Sequence, residues 1–291
     1  LFEDEESGEG FARRNTTEAR VHLYADMAHA LAHASWDGDR DTLADPPEPE
    51  LWNPVAADAR SCTGRHCPLF SNCTYYDKRK ELVGAQVIVA NHDLLLSSLG
   101  SRLLPELDHC LLVLDEAHHL PATALDQFAC SADLSRLTWI DRLSSRALRI
   151  GTLVEVTEVA DIPRHASQLR QHLQDLARLV MDLYGEALKA QNSAWGPARV
   201  RVPRGVLPGA LHEPLGQLAH HAAGFLECLR AISKALRSEM RDKPDEARRL
   251  SQLYAQIGTL APRLEAVHAT AQLLLQEAPE GEAQAFVPNA K

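Results

Sequence analysis

The chain has 291 residues, with 40 acidic and 30 basic side chains and a formal net charge of −10. That charge excludes a globally basic nucleic-acid binder but leaves room for a local basic groove, and no apolar run reaches the roughly 18 residues that a membrane-spanning helix needs. Six cysteines are too few for a disulfide scaffold at this length; three clustered and three scattered fit a metal site plus buried thiols in a reducing compartment.

The length allows two or three structural units. Acidity concentrates at the start, in Glu3, Asp4, Glu5, Glu6 and Glu9. There is neither an initiator Met nor a signal-peptide pattern, so the sequence reads as an internal fragment. Residues 1–15 are polar and predict a loop. A helix is predicted from Thr16 or Thr17, where a hydroxyl can cap it and Glu18 falls in the first turn. Val21, Tyr24, Ala28 and Leu31 recur along it at helical spacing, and it ends before Asp37-Gly38-Asp39. Pro46-Pro47-Glu48-Pro49 extends the backbone. A loop-like run with Cys62, Cys67 and Cys73 follows, then a short helix over Tyr75 to Val83.

Two continuous apolar runs, 85–90 and 111–114, predict buried strands of a parallel sheet, with Asp93 to Leu104 as the crossover helix. Beyond about residue 131 the pattern turns helical over 165–191, 211–240 and 245–278, the first and last of which carry an apolar face, Leu169 to Leu183 and Leu250 to Val267. Between the first two, Gly196 to Gly209 alternates Arg199, Arg201 and Arg204 with Val200 and Val202, as in a hairpin arm or an extended strap. The fold class expected is α/β with a large α-helical insertion.

The chemistry sits in two places. Asp115-Glu116-Ala117-His118 follows the apolar run Leu111–Leu114. Carboxylates at the C-terminal end of a parallel strand lie where α/β proteins bind ligands. In nucleotide hydrolysis the first, Asp115, holds Mg²⁺, usually through water, and the second, Glu116, orients or deprotonates the attacking water. His118 would relay the hydrolysis state to a second motor domain. The plain alternative is an acidic pair at a strand end. No Gly-Lys-Ser/Thr phosphate loop occurs in the sequence, so these residues alone are not expected to hydrolyse ATP.

The cysteine run has the spacing C-x4-C-x5-C, from which thiolates converge on a soft metal. Both zinc sites and iron–sulfur cubanes ask for four ligands. Cys110 leads into the carboxylate strand and is expected to be buried there, Cys130 and Cys228 lie further on, and His66 is too close to Cys67 to join it. A fourth cysteine upstream of Leu1 is the simplest expectation. Tyr75, Lys78, Arg79 and Lys80 mix aromatics with cations as single-strand binders do, or form a solvated helix face. Together with Arg199, Arg201 and Arg204 they are the candidate lining of a basic groove. His165, His172, His220, His221 and His268 read as surface or helix-face residues.

The cysteine run, Tyr75-Tyr76, the stretch from Val87 to Leu96 with Asn91-His92-Asp93, and Leu114 to Leu120 together resemble the bacterial DinG helicases, of the XPD/Rad3 group of superfamily 2 iron–sulfur helicases. The resemblance is strong over about residues 16–130 and weaker beyond. It implies a 5′→3′ ATP-dependent DNA unwinding motor, acting on single-stranded and forked DNA as a monomer, cytoplasmic and nucleoid-associated when active. It implies as cofactors a [4Fe–4S] cluster held by Cys62, Cys67 and Cys73, and ATP with Mg²⁺ at Asp115, Glu116 and His118. It divides the chain into residues 1–80 as an incomplete iron–sulfur domain, 81–130 as part of a RecA-like P-loop motor domain, 131–285 as a helical arch and 286–291 as the return to the motor. Two rival readings remain: a zinc-stabilised DNA-binding module with no motor, and a helicase-like exonuclease.

Overall fold

Periodicity at 4-3-4-3 spacing governs most of what this chain builds. The computed structural model describes residues 4–58, 60–101, 104–105, 107–190, 198–202, 205–277 and 287–288. Two units emerge: residues 1–58 with 69–89, and residues 59–68 with 90–291.

In the first unit, α1 (Asp4–Ala32) is followed by the single turn α2 (Pro49–Trp52) and by α3 (Thr74–Gly84). The predicted loop over residues 1–15 is overturned from Asp4 on, where α1 begins, and residues 1–3 lie outside the described residues. Glu, Ala and Arg are strong helix formers, and three acids at its start suit the positive end of the helix dipole; these terms outweigh Gly8 and Gly10. The turn after α1 is pinned by polar contacts. Asp39 caps a 3-10 turn by accepting from the Asp41 amide at 3.0 Å. Arg40 donates twice to the Pro47 carbonyl, and the Tyr24 hydroxyl donates to the Leu51 carbonyl at 2.7 Å. Gly38 takes φ +88°, and a Cβ there would stand 2.5 Å from the Thr74 hydroxyl oxygen, so α3 starts hard against this turn.

The second unit contains the main core. Its helices are α4 (His92–Ser101), α5 (Leu120–Phe128), α6 (Thr138–Leu153), α7 (Ile162–Ala190), α8 (Gly209–Asp242), α9 (Ala247–Gly258) and α10 (Ala261–Leu275). In α8, Leu211, Leu215, Leu218, Ala222, Phe225, Leu229, Ile232 and Leu236 are all buried, alternating four and three residues apart. Ile162, Ala166, Leu169, Leu173 and Leu176 of α7 repeat that spacing. A 3.5-residue repeat keeps one seam facing its partner along the whole helix, and α8 packs lengthwise against both α7 and α10. Each fully buried leucine contributes about 1.5–3 kcal/mol in area terms. The single helix expected over 245–278 is broken between Gly258 and Ala261: Pro262 has no amide to continue α9 and suits the first turn of α10 instead.

The two predicted strands are corrected. Residues 85–90 and 111–114 carry no regular secondary structure, and no strand ladder occurs among the described residues. Val89 is 93% exposed and Leu111 92%. An apolar β-branched run reports a capacity for burial, whereas a strand exists only when neighbouring backbones supply its hydrogen bonds. The intervening crossover helix is present as α4. In the arginine strap, Val202 is buried while Arg199 and Arg201 are exposed, and the Val200 amide donates to the Pro288 carbonyl at 2.9 Å. Arg204 lies outside the described residues. No helix among the described residues is long and apolar enough to cross a membrane.

Candidate functional site

Two short helices frame the Asp115–His118 segment. Asn91 caps α4, its side-chain oxygen accepting from the Leu94 amide at 2.8 Å. This fixes His92 at the first helical position, and His92 Nε2–H donates to the Asp115 carbonyl at 3.1 Å. The α4 helix packs on α5, where Gln127 donates to the Ser97 hydroxyl at 2.9 Å. The segment 115–119 therefore leaves the irregular run 111–114, turns, and enters α5 through a 3-10 turn over Ala117–His119.

Glu116 occupies the left-handed region, with φ 47° and ψ 39°. For a residue with a Cβ this costs on the order of 1–3 kcal/mol, and such residues concentrate at functional sites. The conformation is held by the Glu116 amide donating to Asp115 Oδ1 at 3.0 Å and by His118 Nδ1 at 3.2 Å from Glu116 Oε2. The rings of His118 and His119 lie 4.0 Å apart. Ligand atoms of Glu116, His118 and His119 all fall within 4.8 Å of one another, so an exposed carboxylate and two imidazoles face one small volume. The sequence pattern singles out Asp115, Glu116 and His118; it gives His92 and His119 no role of their own. The signal for His92 was its place directly after an Asn at a helix start, which puts an imidazole at the first turn.

The six cysteines are all thiols. Cys62 and Cys67 flank the 3-10 turn Gly64–His66 in the second unit, and this turn packs on α8. Both are half-buried, and the Gly64 amide donates to Cys62 Sγ at 3.4 Å. Partly shielded sulfur that accepts a backbone N–H suits a thiolate metal ligand, whose charge such bonds stabilise. Cys73, in the first unit, directly precedes α3 and is half-buried too. Cys110, expected to be buried, is exposed, because the run it opens has no sheet around it. Cys228 sits in the bundle core, donating to the Glu158 carbonyl at 3.2 Å, with burial pushing its thiol pKa up.

The cations of α3 are already engaged. Lys78 pairs with Asp37 at 3.1 Å and with Glu81 at 3.8 Å. Lys80 pairs with Asp77 at 2.8 Å, and Arg79 donates to the Tyr75 hydroxyl at 3.1 Å. The Asp37 carboxyl is held below its ordinary value first by the Asp39 backbone N–H and then by Lys78. Tyr75 and Tyr76 are half-buried and meet edge to face.

The reading of the histidines as surface residues is corrected for two of them. His165 on α7 and His221 on α8 are buried, with their Nδ1 atoms 3.3 Å apart. His172 stacks on His221. Desolvation, then Arg164, lowers the pKa of His165; desolvation, then His220, lowers that of His221.

The DEAD_2 family model matches residues 64–137, a span that contains Cys67, Cys73 and the whole DEAH segment. The ATP-dependent DNA helicase DinG of Escherichia coli K12 is 30% identical over 211 residues, covering 72% of this chain and 29% of that protein. The chain is DinG-like. The DinG of Salmonella paratyphi A is 28% identical over the same length, and that of Photobacterium profundum is 28% identical over 254 residues, covering 86% of this DinG-like chain. The chain spans 29% to 36% of the length of these curated relatives.

Proposed function

We propose that the chain is part of an ATP-dependent DNA helicase. The observation that carries this is the family match over residues 64–137, which joins the cysteine loop and the DEAH segment in one span. The left-handed Glu116 supports it, since strain at that residue has no packing purpose in an exposed turn. Asp115 holds the Mg²⁺ of ATP, Glu116 orients or deprotonates the attacking water, and His118 steadies the Glu116 carboxylate and relays the hydrolysis state. Cys62, Cys67 and Cys73 hold a [4Fe–4S] cluster that clamps a loop-rich segment. The motor moves 5′→3′ on single-stranded and forked DNA, as a monomer in the cytoplasm.

The test is Glu116→Gln in the complete helicase. The exchange keeps size and hydrogen bonding but removes the base, so ATP turnover falls by about 10²–10⁴-fold while DNA binding persists. Turnover at the parent rate refutes the role given to Glu116.

A further inference from the structure

The turn after Asp115 gathers more ligand atoms than nucleotide chemistry uses. Glu116, His118 and His119 each offer one, and the three atoms lie within 4.8 Å of one another. All three side chains are exposed. Among the described residues this is the one place where three side chains of metal-ligating type converge so closely.

The backbone makes the convergence. Side chains one or two positions apart on a regular helix do not face each other. Here the left-handed Glu116, at φ 47°, reverses the chain just before the 3-10 turn Ala117–His119. Its carboxylate comes back over that turn, and Oε2 stands 3.2 Å from His118 Nδ1. The His118 and His119 rings lie 4.0 Å apart, tilted by 40°. The His119 amide donates to the Glu116 carbonyl at 2.9 Å, and the His119 carbonyl accepts from the Thr123 hydroxyl at 3.1 Å. The backbone under the second imidazole is thus held on both sides while its ring stays in solvent.

The donor set selects a class of ion. Bonds of about 2.0–2.1 Å around a tetrahedral zinc put adjacent donors roughly 3.3 Å apart, and the Glu116–His118 spacing of 3.2 Å already meets this. His119 completes the set by rotating an exposed ring, which breaks no packing. Two imidazoles and one carboxylate are a zinc-type complement that leaves the fourth position to water. Magnesium asks instead for oxygen ligands in a near-octahedral array. Asp115 stands outside the trio, its Oδ1 accepting the Glu116 amide at 3.0 Å.

We propose that Glu116, His118 and His119 form a zinc site, distinct from the magnesium position at Asp115, and that zinc held there stops ATP hydrolysis. The coordination rests on the three side chains alone; the inhibition rests on the role proposed for Glu116. A carboxylate bound to zinc has committed the lone pair that would orient or deprotonate the attacking water. An imidazole bound to zinc no longer steadies that carboxylate. The ion takes no part in the reaction, and no bond of the nucleotide forms or breaks at it.

The test uses the complete helicase, purified without air so that Cys62, Cys67 and Cys73 keep what they hold. Zinc chloride is titrated in competition with a chromophoric chelator, without nucleotide and with or without excess Mg²⁺, for the parent and for His119→Gln. His119 has no part in the nucleotide chemistry described above and its ring is exposed, so the variant keeps its fold and its basal turnover. The parent is expected to hold about one zinc per chain that the variant lacks or binds at least about tenfold more weakly. Zinc at that concentration lowers ATP turnover in the parent and leaves the variant at its zinc-free rate. Equal zinc affinity in parent and variant overturns the site, and release of the ion by excess Mg²⁺ overturns the zinc assignment. A zinc difference with turnover untouched in the parent overturns the inhibition. Parent-rate turnover in Glu116→Gln refutes the role of Glu116 but leaves the zinc difference between the parent and His119→Gln in place, so the two failures are told apart.

Discussion

Two glycines of α8 should respond in opposite directions to the same substitution. Gly216 and Gly224 both lie inside the helix, where alanine is favoured over glycine by about 1 kcal/mol. A Cβ on Gly216 meets nothing within 4 Å, whereas one on Gly224 would fall 2.2 Å from Cε1 of His165 and 2.6 Å from its Nε2. Normal contact demands more than an ångström of extra room, and the His165 ring is enclosed and tied to His221. Overpacking of this kind costs about 1–3 kcal/mol, and displacing the ring forfeits a hydrogen bond worth about 1 kcal/mol. Gly216→Ala is therefore expected to stabilise by about 1 kcal/mol, and Gly224→Ala to destabilise by a net 1–3 kcal/mol or so. Thermal unfolding followed by the helical circular-dichroism signal resolves both, because a change of about 1 kcal/mol moves the melting temperature by roughly 2–4 °C in a domain of this size. His165→Ala combined with Gly224→Ala should recover part of the loss, since it removes the obstacle. If Gly224→Ala raises the midpoint as much as Gly216→Ala does, the close approach of α7 to α8 is wrong.

Acid should loosen the same seam. His165 and His221 are held neutral below the ordinary histidine value of 6.5, mainly by desolvation. The unfolded chain takes up protons first as pH falls, so stability is full above 6.5 and declines below it until the folded histidines titrate. The charges facing the pair are Arg164, Asp161, His172 and His220. Urea midpoints measured from neutral to mildly acid pH should fall in the parent and flatten in His165→Gln/His221→Gln; a parallel fall in both assigns the effect elsewhere. Cys67→Ser is expected to abolish cluster retention in the intact protein purified without air, read as iron and sulfide per chain. Full iron in that variant removes Cys67 from the ligand set, and about one zinc per chain with no iron favours a zinc module.

The long seam was legible because helix burial is a local property: Leu211 to Leu236 and Ile162 to Leu176 declare their period whatever they pack against. The DEAH segment stands out in the sequence by its residue types, but the left-handed Glu116 and the His92 bond beside it depend on tertiary contacts. The runs 85–90 and 111–114 read as strands because they are apolar and β-branched; pairing is a property of other residues, which no pattern within the run reports. His165 and His221 looked like surface residues because each, alone on a helix, resembles a solvated polar position, and only the meeting of α7 with α8 encloses them.

The exposed run Leu111–Leu114 has one more consequence. Four consecutive uncharged apolar residues, with Leu111 92% exposed, form the core of the kind of segment that recruits identical segments into cross-β stacks. Asp115 and Glu116 follow it without a gap, and charges so placed act as gatekeepers against aggregation. The carboxylates assigned to nucleotide chemistry would thus also keep this stretch of chain soluble while it folds. Neutralising them should cost yield as well as turnover.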